Sequence, residues 1–123
     1  MIPRYRAWIK SLKWMCDVTN ISFDSKFVDV CQKGDNERYT EMSVEFDEIE
    51  LMQFTGMKDL NGIEIFEGDI VRFFDSLYTV FYDIKEGSYR LKPHDDRWVV
   101  DYMSNFSSEE SFEVVGNIYE NKE

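Results

Sequence analysis

The chain has 123 residues, of which 43% are hydrophobic and 16% aromatic, and it carries a formal net charge of −11. This length suits one compact globular unit and is short for two large domains. The charge disfavours sequence-independent nucleic-acid binding, because an acidic surface repels phosphates. No apolar run approaches the ~20 residues of a membrane span, and the first residues lack the apolar core of a signal peptide, so we expect a cytoplasmic protein without membrane association.

Residues 2–9 alternate in a way that predicts a first strand. Every second residue from Tyr5 forms an apolar face, and the opposite face carries Arg4, Arg6 and Trp8. These three side chains could bind a carboxylate or stack on a base. We favour an ion-paired, half-exposed face, which is common in an acidic protein.

Two further strands are predicted in the first part of the chain. Residues 14–18 complete an N-terminal hairpin, and the β-branched segment 26–31 forms the third strand. Turn signals at 19–20 and 24–25 fall between them, and residues 33–41 have the composition of a loop.

An acidic run follows within residues 44–55, where carboxylates and apolar residues nearly alternate. It predicts a strand with one solvated face, or a short helical turn over residues 47–50. Paired carboxylates can perform acid–base chemistry. No partner motif accompanies them, so we favour a solvated face. The carboxylates are those of Glu45, Asp47, Glu48 and Glu50.

Residues 51–71 contain three short apolar pieces separated by residues that tolerate positive φ. The motifs GxGxxG and GxxxxGK[ST] are absent, so the glycines predict chain reversals and not a phosphate site. We assign structural or interaction roles, through turn geometry and hydrogen bonds between segments, to Gln53, Thr55, Gly56, Asp59, Gly62, Gly68 and Asp69.

Five or six short strands are predicted between residues 51 and 119, which is typical of a small barrel or roll. The last strand ends with a bend at Gly116 and Asn117, two further candidate structural residues. The clearest of these strands are residues 70–74, 77–82, 88–91, 98–103 and 112–119.

Residues that carry chemistry are few. His94, beside Asp95, could be a general base or a lone metal ligand, but we favour a surface loop. Cys16 and Cys31 lack the spacing of a metal site; we expect reduced, buried thiols, with one disulfide as the alternative in an oxidising compartment. A magnesium site built from carboxylates alone stays open. We therefore predict no catalytic, cofactor-binding or metal-binding residues, and no enzymatic activity.

Aromatic residues of the second half could form a platform on which bases stack. In so aromatic a chain we favour core positions and cross-strand pairs. The residues concerned are Tyr78, Tyr82, Tyr89 and Trp98.

Three blocks of the chain resemble the YopX family of bacteriophage and prophage proteins. They begin with Pro3-Arg-Tyr-Arg-Ala-Trp8, continue with Leu51-Met-Gln-Phe-Thr-Gly-Met-Lys-Asp59 through Asn61-Gly62 and Ile65-Phe-Glu-Gly-Asp-Ile-Val71, and end with Phe112-Glu-Val-Val-Gly-Asn-Ile-Tyr-Glu-Asn121. The resemblance implies a mainly β fold with an SH3-like barrel in its C-terminal part. It also implies the cytoplasm of a bacterial host and a tendency to self-associate. It carries over no activity and no site residues.

The expected architecture is an N-terminal β segment over residues 1–50, packed as one compact unit on an SH3-like barrel over residues 51–123. We expect a phage accessory protein that acts through an unidentified protein partner or through self-assembly. Two alternatives stay open. An acidic decoy would use its carboxylates in place of phosphates, and a small-barrel nucleic-acid binder would need a basic strip at Arg4, Arg6, Lys10 and Lys13.

Overall fold

The computed structural model describes residues 4–32, 42–95, 101–102 and 112–120. Within them the chain is almost entirely antiparallel β-structure, which confirms the predicted fold class. It divides into two compact units, Met1–Gln53 and Phe54–Glu123, whereas the sequence placed a division after residue 50. The SH3-like form of the C-terminal part stays a prediction. No helix in the described ranges is long and apolar enough to cross a bilayer.

The first unit contains the strands β1 (Tyr5–Ile9), β2 (Trp14–Ser22), β3 (Phe27–Gln32), β4 (Met42–Glu45) and β5 (Ile49–Lys58). They form an antiparallel sheet in the order β4-β3-β2-β1-β5. A short 3-10 turn at Phe46–Glu48 joins β4 to β5, so the predicted helical turn forms within the acidic run.

The core of this first unit forms on one face of the sheet. Ala7 and Ile9 of β1, Val28 and Val30 of β3 and Cys16 of β2 are each at most 2% exposed. They alternate along their strands because successive side chains of a strand point to opposite faces. The predicted apolar face of β1 is therefore confirmed at these positions.

The turn predicted at Thr19-Asn20 is wrong. Strand β2 continues through both residues to Ser22, with a bulge between Val18 and Asn20. The Thr19 hydroxyl donates a 3.1 Å hydrogen bond to the backbone oxygen of Asp29, and the Asn20 amide contacts the Asp29 carboxylate at 3.4 Å. Pairing with β3 thus overrides the local turn preference.

The second unit begins with the last part of β5, whose Phe54 pairs with Phe66 of the next strand, β6 (Glu64–Phe66). The loop after β5, predicted at residues 57–62, is shorter than expected because β5 extends to Lys58. The remaining strands are β7 (Asp69–Phe73), β8 (Ser76–Asp83), β9 (Ser88–Pro93), β10 (Asp101–Tyr102) and β11 (Glu113–Asn117). They form the main sheet of this unit, in the order β10-β9-β8-β7-β11.

A second cluster of buried residues fills this unit. Val71, Val80, Leu91 and Phe112 are at most 1% exposed, and Ile65 of β6 completes the cluster. The predicted bend of the last strand is present as a bulge between Val114 and Gly116. The loop predicted at residues 33–41 and the aromatic position Trp98 lie outside the described residues.

Candidate interaction surface

Asp59 is a buried carboxylate, only 4% exposed, whose oxygens accept backbone N–H groups. Its Oδ1 accepts from Asn61 at 2.8 Å and from Ile63 at 2.9 Å, which holds the loop after β5. Its Oδ2 accepts from the N–H of Val114 in β11 at 2.9 Å. Backbone donors replace water around this charge, so Asp59 joins two segments that lie 55 residues apart.

Asp69 and Asn117 serve similar turns. Asp69 is 1% exposed, and its Oδ2 accepts from the N–H of Phe66 at 2.8 Å across the turn between β6 and β7. Asn117 accepts from the N–H groups of Tyr119 and Glu120 with its Oδ1. Short polar side chains commonly stabilise turns in this way.

Thr55 and three glycines set the backbone of the segment that runs from the second half of β5 to the start of β7. The Thr55 hydroxyl donates to the oxygen of Ile65 at 2.7 Å and accepts from the N–H of Met57, across the register shift in β5. Gly56, Gly62 and Gly68 have φ values of 90°, 80° and 89°. These angles favour glycine because it lacks a Cβ.

The face of β1 opposite the core is not uniform. Arg6 is only 3% exposed and its Nε donates to the sulfur of Met52 at 3.4 Å, so the expected half-exposed position is wrong for this residue. Arg4 is exposed, and Trp8 and Gln53 are half-buried.

The basic strip proposed for a nucleic-acid binder is interrupted at Arg6. Lys10 and Lys13 are exposed. Lys10 lies 3.5 Å from the carboxylate of Glu50 in an exposed ion pair, which weakens its availability for a phosphate. The remaining three members of the acidic run are exposed as well.

His94 lies exposed at the end of β9, as the favoured interpretation predicts. Its Nε2 forms a 2.8 Å hydrogen bond with the Thr79 hydroxyl, and its backbone N–H donates to Leu77. No group of three or more His, Cys, Asp or Glu side chains converges as metal ligands would among the residues described.

Both cysteines are free and buried, which confirms the expected thiols. Asp17 lies directly opposite Cys31, so neighbouring Cys16 points to the other face of the sheet. This placement does not suit a disulfide between them. Burial raises the pKa of the Cys16 thiol to about 11, and the nearby Cys31 and Asp17 add to the effect.

The aromatic platform does not form as a single exposed surface. Tyr78 belongs to the core at 8% exposure, whereas Tyr82 is 43% exposed. Tyr82 lies opposite Tyr89 on the adjacent strand with ring centroids 5.1 Å apart. This is the cross-strand pairing that the aromatic content predicted.

Open grooves are present among the described residues of the first unit. One, of about 290 Å³, lies between Arg4 at the start of β1 and residues 17–21 of β2. Another, of about 310 Å³, lies between Lys26 and residues 45–47. Both volumes are near the lower end for small-molecule sites.

Large apolar side chains are most exposed in three hairpin turns. Phe23 lies between β2 and β3, Phe74 between β7 and β8, and Ile84 between β8 and β9, with exposures of 69%, 82% and 87%. Sequence reasoning did not select these residues. Phe74 was placed inside a predicted strand, residues 70–74, since an aromatic residue is not a turn signal.

Comparison with known proteins finds a matching family and a similar solved structure, each over nearly the whole chain. A family model described as YopX protein matches residues 4–123. The chain is also similar to the crystal structure of protein EF1440 from Enterococcus faecalis, with 28% identity, a TM-score of 0.63, and coverage of 100% of this chain and 97% of that one. No curated protein matches the sequence.

Proposed function

Since this chain belongs to the YopX family, we propose that it is an accessory protein of a bacteriophage or prophage that binds another protein in the host cytoplasm and catalyses no reaction. One or more of the hairpin turns with exposed apolar side chains make this contact. Its activity is therefore recognition, and the partner is a protein.

The single observation that carries this proposal is the exposure of Phe23, Phe74 and Ile84 at turns. Turns usually carry Gly, Pro, Asn, Asp or Ser, whose side chains suit water and tight backbone geometry. A bare Phe or Ile at such a protruding position gains about 25 cal/mol for each Å² of apolar area that a partner covers. Large exposed apolar side chains in this setting favour a binding role.

The polar residues of the fold support the same conclusion. Asp59 and Asn117 use their side-chain oxygens on backbone N–H groups, and Asp69 does so with Oδ2. These bonds stabilise turns, which is a structural use of the side chains. In the turn of Ile84, Oδ1 of Asp83 accepts from the N–H groups of Lys85 at 3.0 Å and Glu86 at 3.3 Å, and in the turn of Phe23 the Ser22 hydroxyl accepts from the N–H of Ser25. Such bonds fix these two turns, and fixed positions reduce the entropy lost on binding.

The test compares the full chain with a triple variant, Phe23→Ser, Phe74→Asn and Ile84→Ser, in affinity capture from the bacterial host. A control triple variant changes the polar neighbours in the same three turns and keeps their charges: Asp24→Glu, Asp75→Glu and Lys85→Arg. All three control positions are exposed. Mass spectrometry identifies what is bound, and light scattering gives the mass of the free protein.

We expect one discrete protein to be captured by the wild type and the control and lost from the triple variant. Capture that is unchanged in the triple variant would contradict the role of the turns. Turnover of a small molecule by the purified chain, or capture of nucleic acid without any protein, would contradict the proposed class of function.

A further inference from the structure

Phe74 combines exposure with an unfavourable backbone conformation. It is 82% exposed and has φ of 56° in the two-residue turn between Phe73 and Ser76. A bulky side chain at positive φ is rare, because its Cβ crowds the backbone. Gly or Asn would occupy this turn position with less strain. The phenyl ring is therefore present despite the local backbone preference.

The ring of Phe74 is supported from below. Its centroid lies 4.5 Å from that of Phe73 in an edge-to-face arrangement, and Phe73 lies 5.6 Å from Phe112. Phe112 is fully buried in the second core. A row of three rings thus connects the exposed tip to the interior. Such a side chain is ordered before binding and loses little rotamer freedom on contact.

Two further apolar side chains are exposed on segments next to the turn or to Phe112. Leu77, 39% exposed, follows the turn in β8 on the face of the sheet opposite Phe73, and Leu60 is 50% exposed. The backbone N–H of Leu60 donates to the oxygen of Phe112 at 2.9 Å, which brings its loop beside the last strand. We call the exposed ring of Phe74, with the ring of Phe73 beneath it, the Phe74 knob. An exposed and supported aromatic ring is a common interface anchor.

Charge decides which occupant fits the Phe74 knob. The chain carries −11, and Asp75 is exposed next to the ring. A second copy would bring another −11, and nucleic acid and anionic lipid surfaces are also negative, so all three are repelled. A basic protein is attracted, and charge complementarity also speeds its association.

We propose that the Phe74 knob inserts into an apolar pocket on a basic protein. This inference rests on the proposed function and narrows it to one turn and one chemical class of partner. The negative charge of the chain, with Asp75 beside the ring, attracts the basic rim of that pocket. Phe74 supplies the buried anchor.

The test places the photo-crosslinking residue p-benzoylphenylalanine at position 74 of the full chain in the bacterial host. The matched control places it at position 12, which also lies in a hairpin turn and is 45% exposed. We expect one protein with an isoelectric point above about 8 to be crosslinked from position 74 and not from position 12.

The captured protein is then purified and its affinity measured. Because anchor residues contribute at least 2 kcal/mol, Phe74→Asn is expected to weaken binding by about 30-fold or more. Leu12→Asn should stay within about threefold, the range of a residue outside the interface centre. Raised salt should weaken the wild-type complex. A melting curve of Phe74→Asn at or above that of the wild type excludes misfolding as the cause.

Failure of this inference differs from failure of the proposed function. Crosslinks from position 12 alone or equally from both positions, or to an acidic protein, overturn the inference and leave a protein-binding function in place. Crosslinks only to a second copy, or no crosslink from position 74, overturn the inference in the same way. Crosslinks to nucleic acid or lipid alone overturn both.

Discussion

Asp59 shows at the scale of one residue how a turn and a distant strand depend on the same carboxylate. Replacing it by Ala leaves the N–H groups of Asn61, Ile63 and Val114 without their acceptor. We expect Asp59→Ala to lose about 2–4 kcal/mol of unfolding free energy, because buried donors without partners are costly. Urea denaturation measures this loss.

Asp59→Asn is the matched control. The amide keeps the side-chain shape and one oxygen acceptor, so its loss should be smaller than that of Asp59→Ala. Equal stability of wild type and Asp59→Ala would show that the three bonds do not hold the loop.

Cys16 predicts a weakness at alkaline pH. In the unfolded chain the thiol has its ordinary pKa of 9.0, whereas in the folded protein burial raises the pKa to about 11. Between these values the unfolded state loses its proton first, so deprotonation favours unfolding. The free energy of unfolding therefore keeps its full value below pH 9. It falls as the pH rises towards 11, by about 2 kcal/mol at most.

The measurement compares urea denaturation of the wild type and Cys16→Ala at pH 8 and pH 10.5. The wild type should lose more stability over this interval than the variant, which lacks the titrating thiol. Parallel losses in both proteins would contradict the assignment.

Residue burial was only partly readable from the sequence. Alternation along β1 identified Ala7 and Ile9 as core residues, since both faces of a strand follow a period of two. The same alternation placed Arg6 on a half-exposed face. Arg6 is buried because β5 brings Met52 opposite it. The register between strands that are distant in sequence cannot be predicted from the local pattern of residues.

The turn between β7 and β8 holds Phe74 at positive φ, where most side chains are strained. Replacing Phe74 by Asn relieves this strain, whereas Ala retains most of it. Both variants lose the ring contact with Phe73. Asn should therefore be more stable than Ala at this position by about 0.5–1 kcal/mol. Thermal melting of the two variants compares them directly, and the reverse order would show that this backbone conformation is not a source of strain.

Elements with strong β-branched and aromatic content were predicted well. Strands β7, β8 and β9 begin and end within two residues of their predicted limits. Strand β2 extends further than predicted because its pairing with β3 and the hydrogen bonds to Asp29 outweigh the turn preference of Thr19-Asn20. The exposed turn at Phe74 could not be found, since the residue type favours a strand and only the fold places it in the turn.

At the scale of the whole molecule, charge is the dominant feature. With −11 on 123 residues, the compact state brings like charges closer than the unfolded chain does. Salt screens this repulsion over a Debye length of about 8 Å near physiological ionic strength. We expect a rise in NaCl from about 0.05 M to about 0.5 M to increase Tm by a few degrees, or about 1 kcal/mol.

Differential scanning calorimetry in the two salt concentrations measures the change. A matched run in sucrose separates screening from a general exclusion effect, because sucrose carries no charge. A Tm that falls with NaCl would mean that the ion pairs, such as Lys10 with Glu50, outweigh the net repulsion.

The position of Asp59 also limits how sheets of different molecules can join. The N–H of Val114 and the oxygen of Phe112 point away from β7, and they are occupied by Asp59 and Leu60. A free pair of such groups is a template for strand addition and fibril growth. The carboxylate thus closes this stretch of the sheet edge to another chain, and Asp59→Ala should not only unfold more easily but also aggregate by edge-to-edge pairing.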